Sequence, residues 1–379
     1  MRVSGAVGQW IPGLAVAREY QKSWLRNDVV AGLVLTALLI PAGMGYAAAA
    51  GLPVETGLYA TIVPLLAYAV FGPSRILVLG PDSSLAPIIA AAILPLAVAG
   101  SERAVALGGM LAIMVGVILF VGGLLRLGFV TDLLSKPIRI GYLNGIALTV
   151  LIGQMPKLMG FSVEAENLRG EVLGIVRGIA DGLVDGEAFA IGAASLIVIW
   201  GLKAIHSPVP GVLVAVVGAI VFTWLAGWED RIPVVGALPQ GLPAPALDGI
   251  TWSDVGSLAA PAFGIALIAF ADTGVLSRTF AARHGATVNG SQEMSAIGVA
   301  NVAGGLFGGF PISASSSRTP VAEQAGAKTQ LCAVVGALAI VVFILVAPSV
   351  TAYLPSSTLA AVVIVAASSL FDWASVARL

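Results

Sequence analysis

The chain has 379 residues, of which 58% are hydrophobic and only 10% charged, with a formal net charge of -1 and a mean hydropathy of +0.99. A soluble domain carries roughly a quarter of its residues as Asp, Glu, Lys or Arg, so a water-soluble enzyme, a disordered chain and a nucleic-acid binder are excluded. The one cysteine, Cys332, permits no intramolecular disulfide, and His206 and His284 lack a metal-ligand spacing; no metal and no cofactor is expected.

Residues 1–28 hold Arg2, Arg18, Lys22 and Arg26 beside Trp10 and Trp24, without a cleavable apolar core, and read as a cytoplasmic N-terminal tail. About 20 apolar residues cross a bilayer as a helix, and such runs follow near 29–50, 57–72, 104–125, 138–155, 187–203, 209–226, 256–276, 291–308, 329–347 and 358–371. With two irregular segments near 76–98 and 308–325, the expectation is an all-α polytopic membrane protein of about twelve segments. Segment 164–185 spaces charges at helical intervals between apolar residues and reads as an amphipathic helix on the outer surface. The Pro-rich stretch 227–254 divides a first repeat, 29–226, from a second, 255–379.

Lys and Arg set the sidedness. With the N-terminus cytoplasmic, the inner loops hold Arg75, Arg126, Lys136, Arg139, Lys203, Arg278, Arg283, Lys328 and Arg378. The outer loops then hold Arg103, Lys157, Arg169, Arg177 and Arg231, and the long ones are acidic. This pattern places the chain in the cell membrane as a multi-pass protein.

The two irregular segments carry the chemistry. Residues 76–87, ILVLGPDSSLAP, run from a β-branched stretch through Gly80-Pro81 into Asp82-Ser83-Ser84 and a helical continuation. Residues 306–320, LFGGFPISASSSRTP, repeat the device with Gly308-Gly309, Phe310-Pro311 and then Ser313, Ser315, Ser316, Ser317 and Arg318. Irregular backbone at membrane depth is tolerated only where it is buried or lines a cavity. Half-helices that start at one place direct N–H groups and positive dipole ends at it, which suits an anion. One Gly-Pro kink with serines would merely ease helix packing; two at matching positions, one with Arg318, favour a bound anion.

Charges at helix centres cost about 2.5–3.5 kcal/mol on insertion scales, so each needs a reason. Arg318 can pair with an anion or with Asp272. Asp272, in IALIAFADTGVLSR, is a proton or cation carrier or the counter-ion of Arg318. Asp82 either caps its half-helix through the Ser84 N–H or titrates. Glu293, in NGSQEM, is most simply a first-turn acid complementing the helix dipole. Asn289-Gly290-Ser291 matches a glycosylation sequon but falls on the inner side.

Residues 41–81, PAGMGYAAAAGLPVETGLYATIVPLLAYAVFGPSRILVLGP, resemble the signature region of the sulfate permease (SulP) family of anion transporters. Residues 289–331, NGSQEMSAIGVANVAGGLFGGFPISASSSRTPVAEQAGAKTQL, are similar to the same family's second repeat. The resemblance implies an inverted-repeat (7+7) uracil-permease-like fold, with two half-helices each preceded by a short strand, and a core domain that moves against a gate domain like an elevator. It implies secondary transport of an inorganic anion or small carboxylate, with sulfate the leading substrate and a proton the co-substrate. Bicarbonate or a dicarboxylate such as fumarate, and an anion channel or motor-like protein, are the alternatives. The anion contacts it implies, together with the serines that open the half-helices, are Tyr46, Asp82, Ser83, Ser315, Ser316, Ser317 and Arg318, with Asp272 and Asp82 as coupling or ion-pair candidates. The family also suggests a homodimer.

Three departures qualify the carry-over. Ala42 stands after Pro41 where the family often has Gln or Glu, removing one polar contact. Leu276, one turn after Asp272, replaces the hydroxyl of a sodium-coupled bicarbonate member, which points away from sodium. Finally, the sequence ends at Leu379 before the last two expected spans and the cytoplasmic STAS domain, so an incomplete version of a longer protein is expected.

Overall fold

The computed structural model describes residues 11–127, 144–145, 148, 151–163, 168–205, 207, 211–238, 241–283, 285, 287–315 and 318–368. Short helix α1 (Pro12–Arg18) and a 3-10 turn (Lys22–Trp24) lead into α2 (Leu25–Ala49), α3 (Val54–Phe71), strand β1 (Leu79–Gly80), short α4 (Ala86–Ile93) and α5 (Glu102–Leu124). After α6 (Leu168–Ala180), α7 (Gly186–Ala204) and α8 (Gly211–Ala226), the same order returns. Its members are α9 (Trp252–Arg283), α10 (Gly290–Leu306), β2 (Ser313–Ala314), short α11 (Arg318–Gln324) and α12 (Leu331–Val346), followed by a 3-10 segment (Pro348–Tyr353) and α13 (Ser356–Ser368).

Sequence signals place the ends. Ser101 caps α5 by accepting from the Ala104 N–H, and Asp185 caps α7 by accepting from Glu187 and Ala188 N–H. The sequon asparagine, Asn289, caps α10 by accepting from Ser291 and Gln292 N–H. Helix α9 extends past the expected 256–276: the polar residues after Leu276 end the apolar run but not the helix, whose last turn holds Arg283. Most of the expected span 138–155, and both His206 and His284, lie outside the described residues.

By length and composition, five of the described helices can cross a membrane, and α8, α12 and most of α13 form shorter apolar helices. Apolar side chains such as Ile197 (71% exposed) and Leu225 (71%) point outward from α7 and α8, as they do on helices that face an apolar surrounding. The molecule is a multi-pass membrane protein.

Glycines bring the two repeats together. A Cβ on Gly116 of α5 would lie 2.6 Å from the Gly298 carbonyl oxygen of α10, and one on Gly305 would lie 2.4 Å from the Gly109 oxygen. Backbone therefore touches backbone along this pair, the close approach that small residues permit between membrane helices. At one end, buried Asp28 accepts from the Lys328 and Thr329 N–H groups (2.6 and 3.1 Å), the Thr329 hydroxyl (2.7 Å) and Tyr20 (3.1 Å), tying the start of α2 to the loop before α12. Burial, the Asp28 charge and this hydrogen bond push the Tyr20 hydroxyl up to about 12.

A second group of helices, α7, α8 and α13, has small apolar clusters of its own, around Ile191 and Ala219 and around Leu158 and Ala361. The Ser195 and Thr358 hydroxyls join α7 to α13 at 3.1 Å. The Pro-rich stretch docks here, with Val235 N–H donating to the Leu354 carbonyl at 2.9 Å. This group meets the repeat core along α2 and α13, where a Cβ on Gly45 would stand 2.8 Å from Val363 Cγ2.

Candidate functional site

Both helix breaks form, and they meet. β1 and β2 pair antiparallel, Leu79 opposite Ala314 and Gly80 opposite Ser313, and Ser315 N–H extends the ladder to the Val78 carbonyl at 3.0 Å. Hydroxyls close the remaining backbone groups: Thr319 Oγ1 accepts from Val78 N–H (3.2 Å), and Thr273 Oγ1 of α9 accepts from Ala314 N–H (3.1 Å). In hydrocarbon every peptide group must find such a partner, and here each repeat supplies partners for the other.

Arg318 opens α11 at this crossing and is 2% exposed. Its Nη2 donates to the Pro81 carbonyl across the crossing. Its Nε and Nη1 are buried with no hydrogen-bond partner among the described residues. Gly80 makes the approach possible, because its φ is +151° and a Cβ there would stand 3.2 Å from Arg318 Nη1. The Ser313 hydroxyl is likewise buried without a partner among the described residues. Ser315 Oγ accepts from the Arg318 N–H at 3.3 Å and so caps α11.

The acids sit on one side of this crossing. Asp82 Oδ1 accepts from the Ser84 N–H at 3.1 Å, a turn ahead of α4 and not its cap, since Leu85 precedes the helix without a side-chain capping bond. Ser84 Oγ lies 3.0 Å from Asp82 Oδ1 and 3.0 Å from Asp272 Oδ2, so one hydroxyl links both carboxyl groups. Asp272 reaches Ser84, and the Asp82 charge acts on the guanidinium. Tyr46 of α2 is 4% exposed and faces Ser83, Asp82 and Arg318. The structure thus gathers Tyr46, Asp82, Ser83, Ser315, Arg318 and Asp272, while Ser316 and Ser317 lie outside the described residues.

Glu293 is more than a dipole partner. It remains in the first turn of α10, but it is fully buried, takes a hydrogen bond from Tyr68 and accepts from the Ser74 hydroxyl at 2.9 Å. These partners lie more than 200 residues away in sequence, beyond any local pattern.

Two strand-led half-helices that cross between a duplicated set of membrane helices define the inverted-repeat fold of the uracil-permease type. Comparison with known proteins gives the family. A profile described as the sulfate permease family matches residues 25–379, and the chain belongs to that family. It is 38% identical over 371 residues to a probable sulfate transporter of Mycobacterium tuberculosis (strain CDC 1551 / Oshkosh), covering 98% of this chain and 66% of that protein. It is 30% identical to human solute carrier family 26 member 6, over 94% of this chain and 49% of the human one. The chain therefore spans two thirds or less of these curated relatives. Among solved structures it superposes on the murine solute carrier 26 family member A9 anion transporter with a TM-score of 0.90 at 23% identity, covering 100% of this chain and 66% of that one. On the transmembrane domain of the cyanobacterial bicarbonate transporter BicA it gives 0.83 at 22% identity, covering 94% and 91%. The chain is a membrane transporter homologue, not an enzyme.

Proposed function

We propose that this chain is the membrane part of a secondary anion transporter that carries sulfate by elevator-type alternating access, coupled to protons. The observation that carries this reading is Arg318: a guanidinium buried at the crossing, with two nitrogens that find no partner among the described residues. A buried charge without a full set of partners is costly, and an anion seated against Nε and Nη1 would complete it. Tyr46, Asp82, Ser83, Ser315, Ser316 and Ser317 are its proposed companions at the site. Sulfate is preferred because the relative with 38% identity is a probable sulfate transporter. Bicarbonate is the second reading, supported by the BicA likeness.

Proton coupling draws support from Ser84. A hydroxyl has one proton to donate, so it serves two carboxyl oxygens at 3.0 Å better when one of the carboxyl groups is itself protonated. Asp82 and Asp272 together are then a place to carry a proton beside an anion. The proposed division is a cytoplasmic tail (1–28), repeats at 29–226 and 255–379 and an outer linker (227–254), in a cell-membrane homodimer with its N-terminus inside.

The test is uptake of labelled sulfate into proteoliposomes. Arg318→Ala is expected to abolish uptake; transport at the parental rate would remove Arg318 from the anion site. Competition with unlabelled sulfate, bicarbonate, fumarate and uracil ranks the substrates. Large currents without dependence on a counter-gradient would establish a channel instead.

A further inference from the structure

Residues Phe310–Ile312 approach β2 as extended backbone inside a membrane-embedded core, and the two-rung ladder to β1 does not reach them. Their peptide groups need partners from elsewhere. Asn301 of α10, fully buried, provides them for Ile312. Its Oδ1 accepts from the Ile312 N–H at 2.9 Å and its Nδ2 donates to the Ile312 carbonyl at 3.2 Å, while the second Nδ2 proton goes to the Ile297 carbonyl at 3.0 Å. Two carbonyls against the nitrogen and one N–H against the oxygen leave a single orientation for the amide.

This contact copies what a neighbouring strand would do: one residue exchanging both its N–H and its C=O with another. A carboxylate or a hydroxyl cannot meet both groups with the same spacing, and an apolar side chain meets neither. The other arm is held differently. Gln330 donates through Nε2 to the Ser74 and Leu77 carbonyls, both at 2.9 Å, ahead of β1. It tethers two carbonyls but no N–H, so it restrains that arm without fixing a residue's register.

We propose that Asn301 is a positioning residue for anion binding: it locks Ile312 in register and so sets where Ser315 and Arg318 stand against Pro81. This rests on the anion-site reading above. Ile312 precedes Ser315 by three positions and Arg318 by six in an unbroken chain. A slip of one residue along a strand moves the chain about 3.3 Å and reverses its faces, which would carry Arg318 away from the Pro81 carbonyl.

The experiment measures sulfate Kd by direct binding, and KM against maximal rate in proteoliposomes, for Asn301→Leu, Asn301→Asp and Arg318→Ala. Asn301→Leu has a similar size but no polar atom, and about a tenfold rise in Kd and KM is expected, with a smaller change in maximal rate. Asn301→Asp keeps an acceptor for the Ile312 N–H and should fall between. A lowered melting temperature with unchanged Kd in either variant would overturn the proposal, because a purely structural amide changes stability alone. Should the Leu variant not fold, the Asp variant decides by the same criterion. If Arg318→Ala also binds sulfate normally, the anion site itself is misplaced; if Arg318→Ala loses binding while the Asn301 variants keep it, only the positioning role fails.

Discussion

Arg318 is a cation almost wholly withdrawn from solvent at the meeting point of two broken helices, and its neighbours explain how it stays there. The Pro81 carbonyl takes one nitrogen, and the charge of Asp82, the next residue in sequence, favours the guanidinium. Asp272 is set apart from it by Ser84, whose hydroxyl contacts both acids. From this separation, Asp272→Asn is expected to keep sulfate binding within a few-fold while uptake stops accelerating when the outside is made acidic. Flux measured with and without an imposed pH gradient checks it; an undiminished response would assign the coupling elsewhere. Arg318, Asp82 and Asp272 were visible in the sequence because a charge in an apolar run needs a reason. Asn301 and Gln330 were not, since an uncharged amide raises no such alarm. The depth of Glu293 was hidden too: its partners Tyr68 and Ser74 come from the other repeat.

At the scale of elements, the half-helices were legible from their punctuation, Gly80-Pro81 in one repeat and Phe310-Pro311 after paired glycines in the other. The ladder between them was not: two residues per strand are too short for any alternation to show. Most helix boundaries fell within a few residues of the apolar runs, because the membrane sets both. Helix α9 escaped this logic by continuing through Ser277 and Arg278 to Arg283. The pairing of the glycines of α5 and α10 was not legible in the sequence, since nothing local says which helix each one faces. Their contact yields a prediction. Gly116→Val forces a branched side chain into a gap where even the first carbon lies 2.6 Å from the Gly298 oxygen, and should cost about 1–3 kcal/mol or prevent folding. Gly218→Val, with open space around that position, is the control. Thermal unfolding in detergent should show a clear drop for the first and little change for the second; equal melting temperatures would show that α5 and α10 tolerate separation.

Over the whole molecule, the repeat core and the group formed by α7, α8 and α13 are the natural candidates for bodies that move past each other. The surface between them includes Gly45, set against Val363 and Leu359, and Lys157, whose Nζ donates to the Ala48 carbonyl at 3.3 Å near the C-terminal end of α2. If transport requires this surface to slide, Gly45→Val should reduce maximal rate severalfold while leaving sulfate Kd unchanged. Uptake kinetics and direct binding on the same preparation check this; a variant that loses affinity and speed together would place Gly45 in the anion site instead. Within the Pro-rich stretch, Val235 and Leu238 fasten onto Leu354 and the 3-10 segment.

The ladder of two residue pairs between β1 and β2 bears on how such a protein can be divided. Leu79 and Gly80 come from one repeat, Ser313 and Ala314 from the other, and the arginine of the second reaches a carbonyl of the first. Neither repeat owns the crossing. Each repeat alone would leave its strand edge unpaired, so the crossing exists only where both repeats are folded together. For the same reason, a gene cut within the Pro-rich stretch would encode two inert pieces whose activity returns only when they meet in one membrane.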